Sequence, residues 1–487
     1  MKSMLTACWS RRLNARGGLA LVGAAALVSI GMLGLTLSCT ASAAPPTFPA
    51  AQQEYWAHFD HRDWTAAITS AQKLVDDARA ASPADPQRLA DSLVLLGNAQ
   101  LGSQNAVGAE AAYQEALDIV VPHVGPGSDK LIDPLRGLGY AFAAEGKHDK
   151  AAPLLDRALN ISRRNFGLFD PSQQGLLRQL AASLTAVDAP LEAEKHIKYL
   201  LLIGERTYGG NDLRMIPLMC TVGDWYAQIG SLGVARQYFR EGIALAEEKG
   251  GKSSVAAVEP LRGLAASYRR ELFLAGAGLL RQPENEMSFG DPNVNQQRPI
   301  TAQLLNSEGE KALLRAVKIL DDNPNRPPVL LIQTLIDTGD WYQTRSQPQK
   351  ALSFYRRAAA MIAPGEAATG SPFAFPVQVY LPTPLLATRN RTRPDFEVDE
   401  KFVQVEFTVT SDGAVKNARV IDQNGSSRQS SETLDAIQSA RYRPKFVNGE
   451  PVETTAVVYR QLFRQRKEKD EDKDKKDEDK EKEKDAG

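Results

Sequence analysis

The chain has 487 residues, of which 43% are apolar and 24% charged, so it has room for two or three domains with ordinary cores. A formal net charge of -1 excludes a general nucleic-acid binder, which needs a basic surface. That balance conceals a local asymmetry, because the last stretch is almost wholly charged.

The N-terminus carries a targeting signal. Lys2, Arg11, Arg12 and Arg16 precede an apolar run from Leu19 to Leu37 with no acid among them, and Ala41-Ser42-Ala43 follows. A positive n-region, an apolar h-region and an A-x-A site read as a secretory signal over residues 1–43, cut after Ala43. The apolar run is 19 residues long, close to what a bilayer span needs, so a retained inner-membrane anchor with the rest facing the periplasm is the alternative. Ser10-Arg11-Arg12 imitates a twin-arginine signal, but Asn14 stands where an apolar residue is wanted. Cys39 imitates a lipid-attachment cysteine, but Thr36 stands three before it in place of Leu. Of Cys8, Cys39 and Cys220, only Cys220 remains after cleavage, so no intrachain disulfide can form and packing alone must hold the fold.

A repeat then fills most of the chain. Leu96-Gly97, Leu138-Gly139, Leu180-Ala181, Val222-Gly223 and Leu264-Ala265 follow one another at intervals of 42 residues. Small residues at Ala109, Ala151, Ala193 and Ala235 keep the same interval. So do bulky ones at Tyr113, Leu155, Ile197 and Phe239, and then Ala116, Ala158, Leu200 and Gly242. The spacing predicts a helix, a short turn and a second helix per unit. The small residues let backbones approach, and the bulky ones fill the wedge toward the neighbour. One such pair cannot bury its apolar face alone, so the units must stack. Gly102, Gly146 and Gly230 mark turns within units, and Gly125-Pro126-Gly127, Asp170-Pro171, Gly209-Gly210 and Gly250-Gly251 mark turns between them.

This pattern resembles the tetratricopeptide repeat in its 42-residue form. Leu93, Leu96, Gly97, Ala109, Tyr113 and Ala116 match one unit; Gln100 at the family's Tyr position and Leu200 at its third Ala depart from it. In a first unit Ala67 and Ala71 hold the register, beside Trp56 and Trp64. A last unit has Leu335, Gly339, Tyr342, Ala351, Tyr355 and Ala358. Between them a split unit places Leu261, Leu264 and Tyr268 on one helix and Gly309, Leu313 and Ala316 on the other. Its polar insertion, residues 281–299, is rich in Asn, Gln and Pro. The resemblance covers residues 51–363 and implies an α-solenoid whose inner helices line a partner-binding groove.

The period then breaks. Pro364, Gly370, Pro372, Pro376, Pro382 and Pro384 predict an extended linker over residues 364–384. Val403, Val405, Phe407 and Val409 alternate with polar neighbours, Ser411-Asp412-Gly413 turns the chain, and Val415 to Ile421 returns. Ser430, Ser431 and Glu432 suit a helix start, with Leu434, Ile437 and Ala440 on its apolar face. Arg441-Tyr442-Arg443-Pro444 ends the helix, Asn448-Gly449 turns, and Thr454 to Phe463 reads as the last strand.

Strand, strand, helix, strand with the run Phe407 to Gly413, the string Tyr442-Arg443-Pro444 and Gly449-Glu450-Pro451-Val452 resembles the C-terminal domain of TonB energy transducers. The resemblance covers residues 376–463, and the fold class is thus mainly α, a solenoid followed by a small α+β (ββαβ) domain. It implies a module that binds an extended segment of an outer-membrane receptor by adding it to an edge strand, here Thr454 to Phe463, with Ala456, Val457, Val458 and Tyr459 as the contacting residues. The chain departs from the family in three ways. Lys401 or Phe402 stands where a Gly precedes the first hairpin strand. No His lies before His58 to serve as a coupling residue in a membrane helix. The repeats stand where a Pro-rich spacer would.

The end of the chain, residues 464–487, is a charged tail. From Lys467 to Asp485 every residue is charged, eight Lys against eleven acids, and such a run stays solvated. Enzyme signatures are missing. The five histidines lack metal-ligand spacing. Gly251-Lys252-Ser253 imitates a phosphate loop, but Ala246 stands where its first Gly is needed. No cofactor is implied.

The reading is therefore a non-enzymatic protein of the bacterial cell envelope, exported to the periplasm, that binds protein or peptide partners, outer-membrane receptors among them. The alternative is an anchored, TonB-family component of energised transport. Groove candidates are Arg136, Arg178 and Arg262, one per unit at the position after the Leu93-type residue, with Arg269 and Asn98. Such a row suits partner carboxylates, which guanidinium binds through two parallel hydrogen bonds. Asp91, Asp133, Asp224 and Glu259 lie on the same face and offer these arginines partners within the chain.

Overall fold

A computed structural model describes residues 48–81, 85–276, 302–362, 371–382 and 398–466. The expected signal segment 1–43 and the insertion 281–299 lie outside them, as does the expected tail from Lys467 onward, whereas its residues 464–466 belong to a strand. Among the described residues no helix is long and apolar enough to cross a membrane.

The chain forms two compact units, residues 1–209 and 210–487. Among the described residues the first holds eight helices in four hairpins: α1 (Phe48–Asp60) with α2 (Trp64–Ala80), α3 (Pro86–Gly102) with α4 (Ala106–Val120), α5 (Ile132–Ala144) with α6 (His148–Phe166), and α7 (Gln174–Ala186) with α8 (Pro190–Tyr208). The second holds three more: α9 (Ile216–Gln228) with α10 (Leu232–Gly250), α11 (Val258–Gly276) with α12 (Ala302–Asp321), and α13 (Pro328–Thr344) with α14 (Pro348–Ala359). The split repeat thus closes as a helix pair across its insertion.

The helix starts have local causes. Asp63, Asp85 and Asn105 accept from the backbone N–H three residues on, satisfying a donor that the first turn leaves free. Ser128, Asp170 and Asp212, spaced at the repeat interval, do the same two residues on and open short 3-10 turns before α5, α7 and α9. In the six hairpins whose turn is described, that turn has one left-handed residue, at Arg62, Gln104, Gly146, Asp188, Gly230 and Ser346. Gly102 is therefore not the turn residue. It ends α3, where a Cβ would stand 2.5 Å from the Trp64 ring.

Packing follows the repeat register. Ala67, Ala109, Ala151, Ala193, Ala235 and Ala351 are wholly buried. The bulky residue of a second helix wedges between glycines of two first helices. A Cβ on Gly97 or Gly137 would lie 2.7 or 2.2 Å from the Tyr113 ring, and one on Gly223 or Gly263 would lie 2.7 or 2.3 Å from the Phe239 ring. Each ring thereby joins its own hairpin to the next.

After α14 the second unit becomes a small α+β module. The three-stranded sheet has the order β3-β2-β7, all antiparallel, from β2 (Val398–Val409), β3 (Val415–Gln423) and β7 (Thr454–Arg466). Helix α15 (Ser427–Ser439) covers one face, and Val403, Val405, Phe407, Val409, Ile437, Ala440, Tyr442 and Phe463 form the core. The helix starts earlier than Ser430, because Ser426 and Gln429 form a capping box. The linker is not merely extended: β1 (Val377–Tyr380) pairs with β4 (Arg441–Arg443), the segment expected only to end the helix. β5 (Lys445–Val447) and β6 (Glu450–Val452) form a hairpin through Asn448-Gly449.

Candidate interaction surfaces

The first helices of successive hairpins approach one another, α3 with α5, α5 with α7, α9 with α11 and α11 with α13. They form the inner side of each stack, and the groove candidates lie on them.

In the first unit Asn98 is not offered to a partner. It is buried, and its side-chain oxygen accepts from the Tyr113 hydroxyl at 2.6 Å. Arg136 pairs with Asp133 one turn earlier at 2.7 Å and lies close enough to act electrostatically on the Tyr113 phenol, whose pKa burial raises far above the ordinary value. Arg178 is half-buried and, among the described residues, makes no hydrogen bond or ion pair with the chain. It is the groove arginine with its charge uncommitted.

In the second unit the arginines are taken. Arg262 donates to Asp337 at 2.6 Å and to Gln333 at 3.3 Å. Arg269 stands 3.9 Å from Asp340. Asp224 is half-buried near Glu259 and Arg262; loss of water and then repulsion from Glu259 outweigh the attraction of Arg262 and push its carboxyl up to about 6. Cys220 is buried, and the same burial raises its thiol, so it is inert packing. Of the acids the sequence offered as intrachain partners, Asp133 does pair with Arg136, but Arg262 and Arg269 turn instead to Asp337 and Asp340, which reach α11 only through tertiary contact.

At the module, β7 pairs with β2 along its whole length and, among the described residues, with no other strand. One long edge therefore presents unpaired N–H and C=O groups. The expected contact residues are not equivalent along it. Thr455 and Ala456 together face the single residue Thr408, and Ala456 has φ +54°. Ala456 is a bulge residue, not the middle of a strand. Regular pairing begins at Val457. Val457 and Tyr459 pack toward the core under α15, whereas Val458 and Leu462 are exposed on the open face. Between them the Arg460 guanidinium lies 3.8 Å from the Phe402 ring centre.

The two kinds of module meet within the second unit. Arg443 in β4 donates from Nε to Asp340 Oδ1 at 3.1 Å and from Nη2 to Oδ2 at 2.8 Å, with both side chains buried. Gln343 donates to the Asp412 carbonyl at 2.8 Å, and Arg356 reaches Glu450 at 3.0 Å. Gly413 has φ +82°, and a Cβ there would lie 2.0 Å from the Tyr442 carbonyl and 2.2 Å from Gln343. Only glycine fits that turn. Among the described residues no group of His, Cys, Asp and Glu is arranged to hold a metal ion.

Comparison with known proteins agrees with both parts. Residues 61–164 match the tetratricopeptide repeat family model, and residues 402–461 match the model for the Gram-negative bacterial TonB protein C-terminal. Similar solved structures include a kinesin light chain from Podosopora anserina with nearly identical TPR-like repeats (15% identity, covering 42% of this chain and 96% of that one, TM-score 0.38). BtubC (BKLC) from P. vanneervenii is also similar (18% identity, 63% and 94%, TM-score 0.34). So is the apo form of RapI (12% identity, 64% and 96%, TM-score 0.36). A search of curated proteins finds no match.

Proposed function

We propose that this chain of tetratricopeptide repeats ending in a TonB-type C-terminal domain is a non-enzymatic binding protein of the bacterial cell envelope, exported to the periplasm, where its β7 edge captures an extended segment of an outer-membrane protein. The observation that carries this reading is the one-sided pairing of β7, whose free edge can hydrogen-bond an added strand through main-chain groups alone. On the repeats, Arg178 is the residue placed to meet a partner carboxylate, since its charge has no counterpart in the described chain.

The test is binding of the full mature chain to synthetic peptides copied from the periplasm-facing N-terminal segments of outer-membrane receptors. Capture by the β7 edge predicts binding that a proline at one outward-facing N–H among Val457, Val458 and Tyr459 abolishes while the fold is kept. If the unmodified chain binds no such peptide at millimolar concentration, the likeness to TonB is one of fold alone. Weaker recovery of periplasmic partners by Arg178→Ala is the corresponding result for the repeats.

A second reading, an anchored component of energised transport, is favoured by the 19-residue apolar run from Leu19 to Leu37. The mature N-terminus separates the two. A start at Ala44 ends the anchored version, and an intact Met1 in the membrane fraction ends the exported one.

A further inference from the structure

The last repeat ends in an unusual way. In the interior of each stack, the ring on a second helix is covered by the first helix of the next hairpin, through Gly137 for Tyr113 and Gly263 for Phe239. Just before each of those glycines stands an arginine, Arg136 or Arg262. It lies close enough to the preceding repeat to act electrostatically on a polar group there. Arg136 acts on Tyr113, which Asn98 holds, and Arg262 acts on Asp224. Each junction thus has an aromatic wedge, a polar residue after the packing glycine, and an arginine arriving from the next repeat.

At the seventh hairpin the first two parts are present. Tyr355 is fully buried against Gly339, and Asp340 follows that glycine and accepts from the Tyr355 hydroxyl at 2.8 Å, as Asn98 accepts from Tyr113. No eighth hairpin follows among the described residues. In its place come β4, β5 and the segment before β1. Arg443 takes the arginine's place with two hydrogen bonds to Asp340 and a third, at 3.1 Å, to the Pro372 carbonyl. Its guanidinium carbon lies 5.9 Å from the ring centres of both Tyr355 and Phe373. Phe373 and Phe446 cover the Tyr355 ring, with centres 6.0 and 6.4 Å away, and pack on each other at 4.8 Å. Burial works against the Arg443 charge, but the Asp340 carboxylate more than offsets it, so the group's pKa lies above its ordinary value.

We propose that the inner helix of the last repeat carries a guanidinium-binding site, built of Asp340, Tyr355 and Phe373, and that its ligand is the chain's own TonB-type module, which enters through Arg443 and caps the repeat stack. A helical repeat array needs its last apolar surface covered, usually by a further helix with a polar outer face. Here the cover is a β-module, and the ion pair fixes its register on α13. Docking runs through β1, β4 and the turn at Gly413, with β7 in a different sheet. The last repeats and the strand-bearing module are therefore one mechanical body, and a pull on β7 is delivered to α13 and α14. This holds whether or not β7 captures a strand.

The test uses the full mature chain and its variants Asp340→Ala, Arg443→Ala, Arg443→Lys and the double alanine variant, with backbone hydrogen exchange read by mass spectrometry and circular dichroism as the check on folding. Breaking a buried pair should cost the capped region cooperatively. Amides of α13, α14, β1 and β4 should lose protection together, by about tenfold or more, in either single alanine variant, while α3 to α6 keep theirs. The double variant should lose no more than the worse single one, because both remove the same contact. Unchanged exchange in α13 and α14 in Arg443→Ala overturns the proposal, and so does full additivity of the two alanine effects. If an alanine variant does not fold, Arg443→Lys decides. It keeps the charge but loses the two-pronged geometry, so intermediate protection in both parts supports the cap, and wild-type protection overturns it.

Discussion

The ring of Tyr113 rests on the backbone of Gly137, so closely that a Cβ on Gly137 would stand 2.2 Å from ring carbon Cε1. The contact crosses from one hairpin to the next and makes Gly137 a packing residue. Gly137→Ala gains about 1 kcal/mol of helix propensity but must displace a buried ring, and overpacking costs about 1–3 kcal/mol, more where a rigid group cannot move. The expected result is a net destabilisation of about 2 kcal/mol in urea unfolding. Unchanged or raised stability would remove this account of the junction.

The intra-hairpin turns make the opposite prediction. Gln104 has φ +68° at the position where Gly146 and Gly230 stand in two other repeats. A side chain in the left-handed region is strained by about 1 kcal/mol, so Gln104→Gly should stabilise the chain by about 0.5–1 kcal/mol despite the greater freedom of its unfolded state. A glycine at Gly102, two residues earlier, does a different job, and Gly102→Ala should destabilise by collision with Trp64. Thermal melts of both variants check the pair, and the same sign for both would refute the assignment of the turn.

Asp224 gives a pH dependence of defined sign. Its folded-state pKa is raised to about 6, first by loss of water and then by Glu259. The unfolded carboxyl ionises near its ordinary value of 3.8. Between these values the folded state holds a proton that the unfolded state has released, so stability falls as pH rises through about 4 to 6 and stays lower above. The full loss is on the order of 2–3 kcal/mol. Asp224→Asn should therefore stabilise at pH 8 and change little at pH 4. Unfolding curves at the two pH values measure this directly, and equal effects at both would contradict it.

Ala456 separates the bulge from the free edge. Its φ of +54° cannot be adopted by proline, whose ring holds φ near -65°. Ala456→Pro should unfold the module and Ala456→Gly should leave it intact or slightly more stable. Loss of peptide binding in Ala456→Pro would thus say nothing about strand capture, whereas loss in a folded Val458→Pro or Tyr459→Pro would. Circular dichroism and near-ultraviolet spectra of the three proline variants distinguish the cases.

The sequence alone determined the repeat, because helix packing repeats the same local demand every 42 residues and small and bulky positions recur with it. It also determined the hairpin of β2 and β3, where alternation and a Ser-Asp-Gly turn are local signals. The start of α15 was misplaced because Ser430, Ser431 and Glu432 also suit a helix start, although Ser426 and Gln429 already carry the spacing of a capping box. The candidate site was legible only as a list of charges. Which arginine is spent on the chain and which is left over was decided by tertiary contact. Arg262 meets Asp337 across 75 positions and Arg443 meets Asp340 across 103, whereas Arg178 makes no hydrogen bond or ion pair in the described chain. The strand β1, hidden in a proline-rich stretch, and the cap that it forms with β4 on α13 belong to the same class. Their energy comes from surfaces that exist only once the last repeat has folded, and no local pattern can announce a surface that two distant segments must first build.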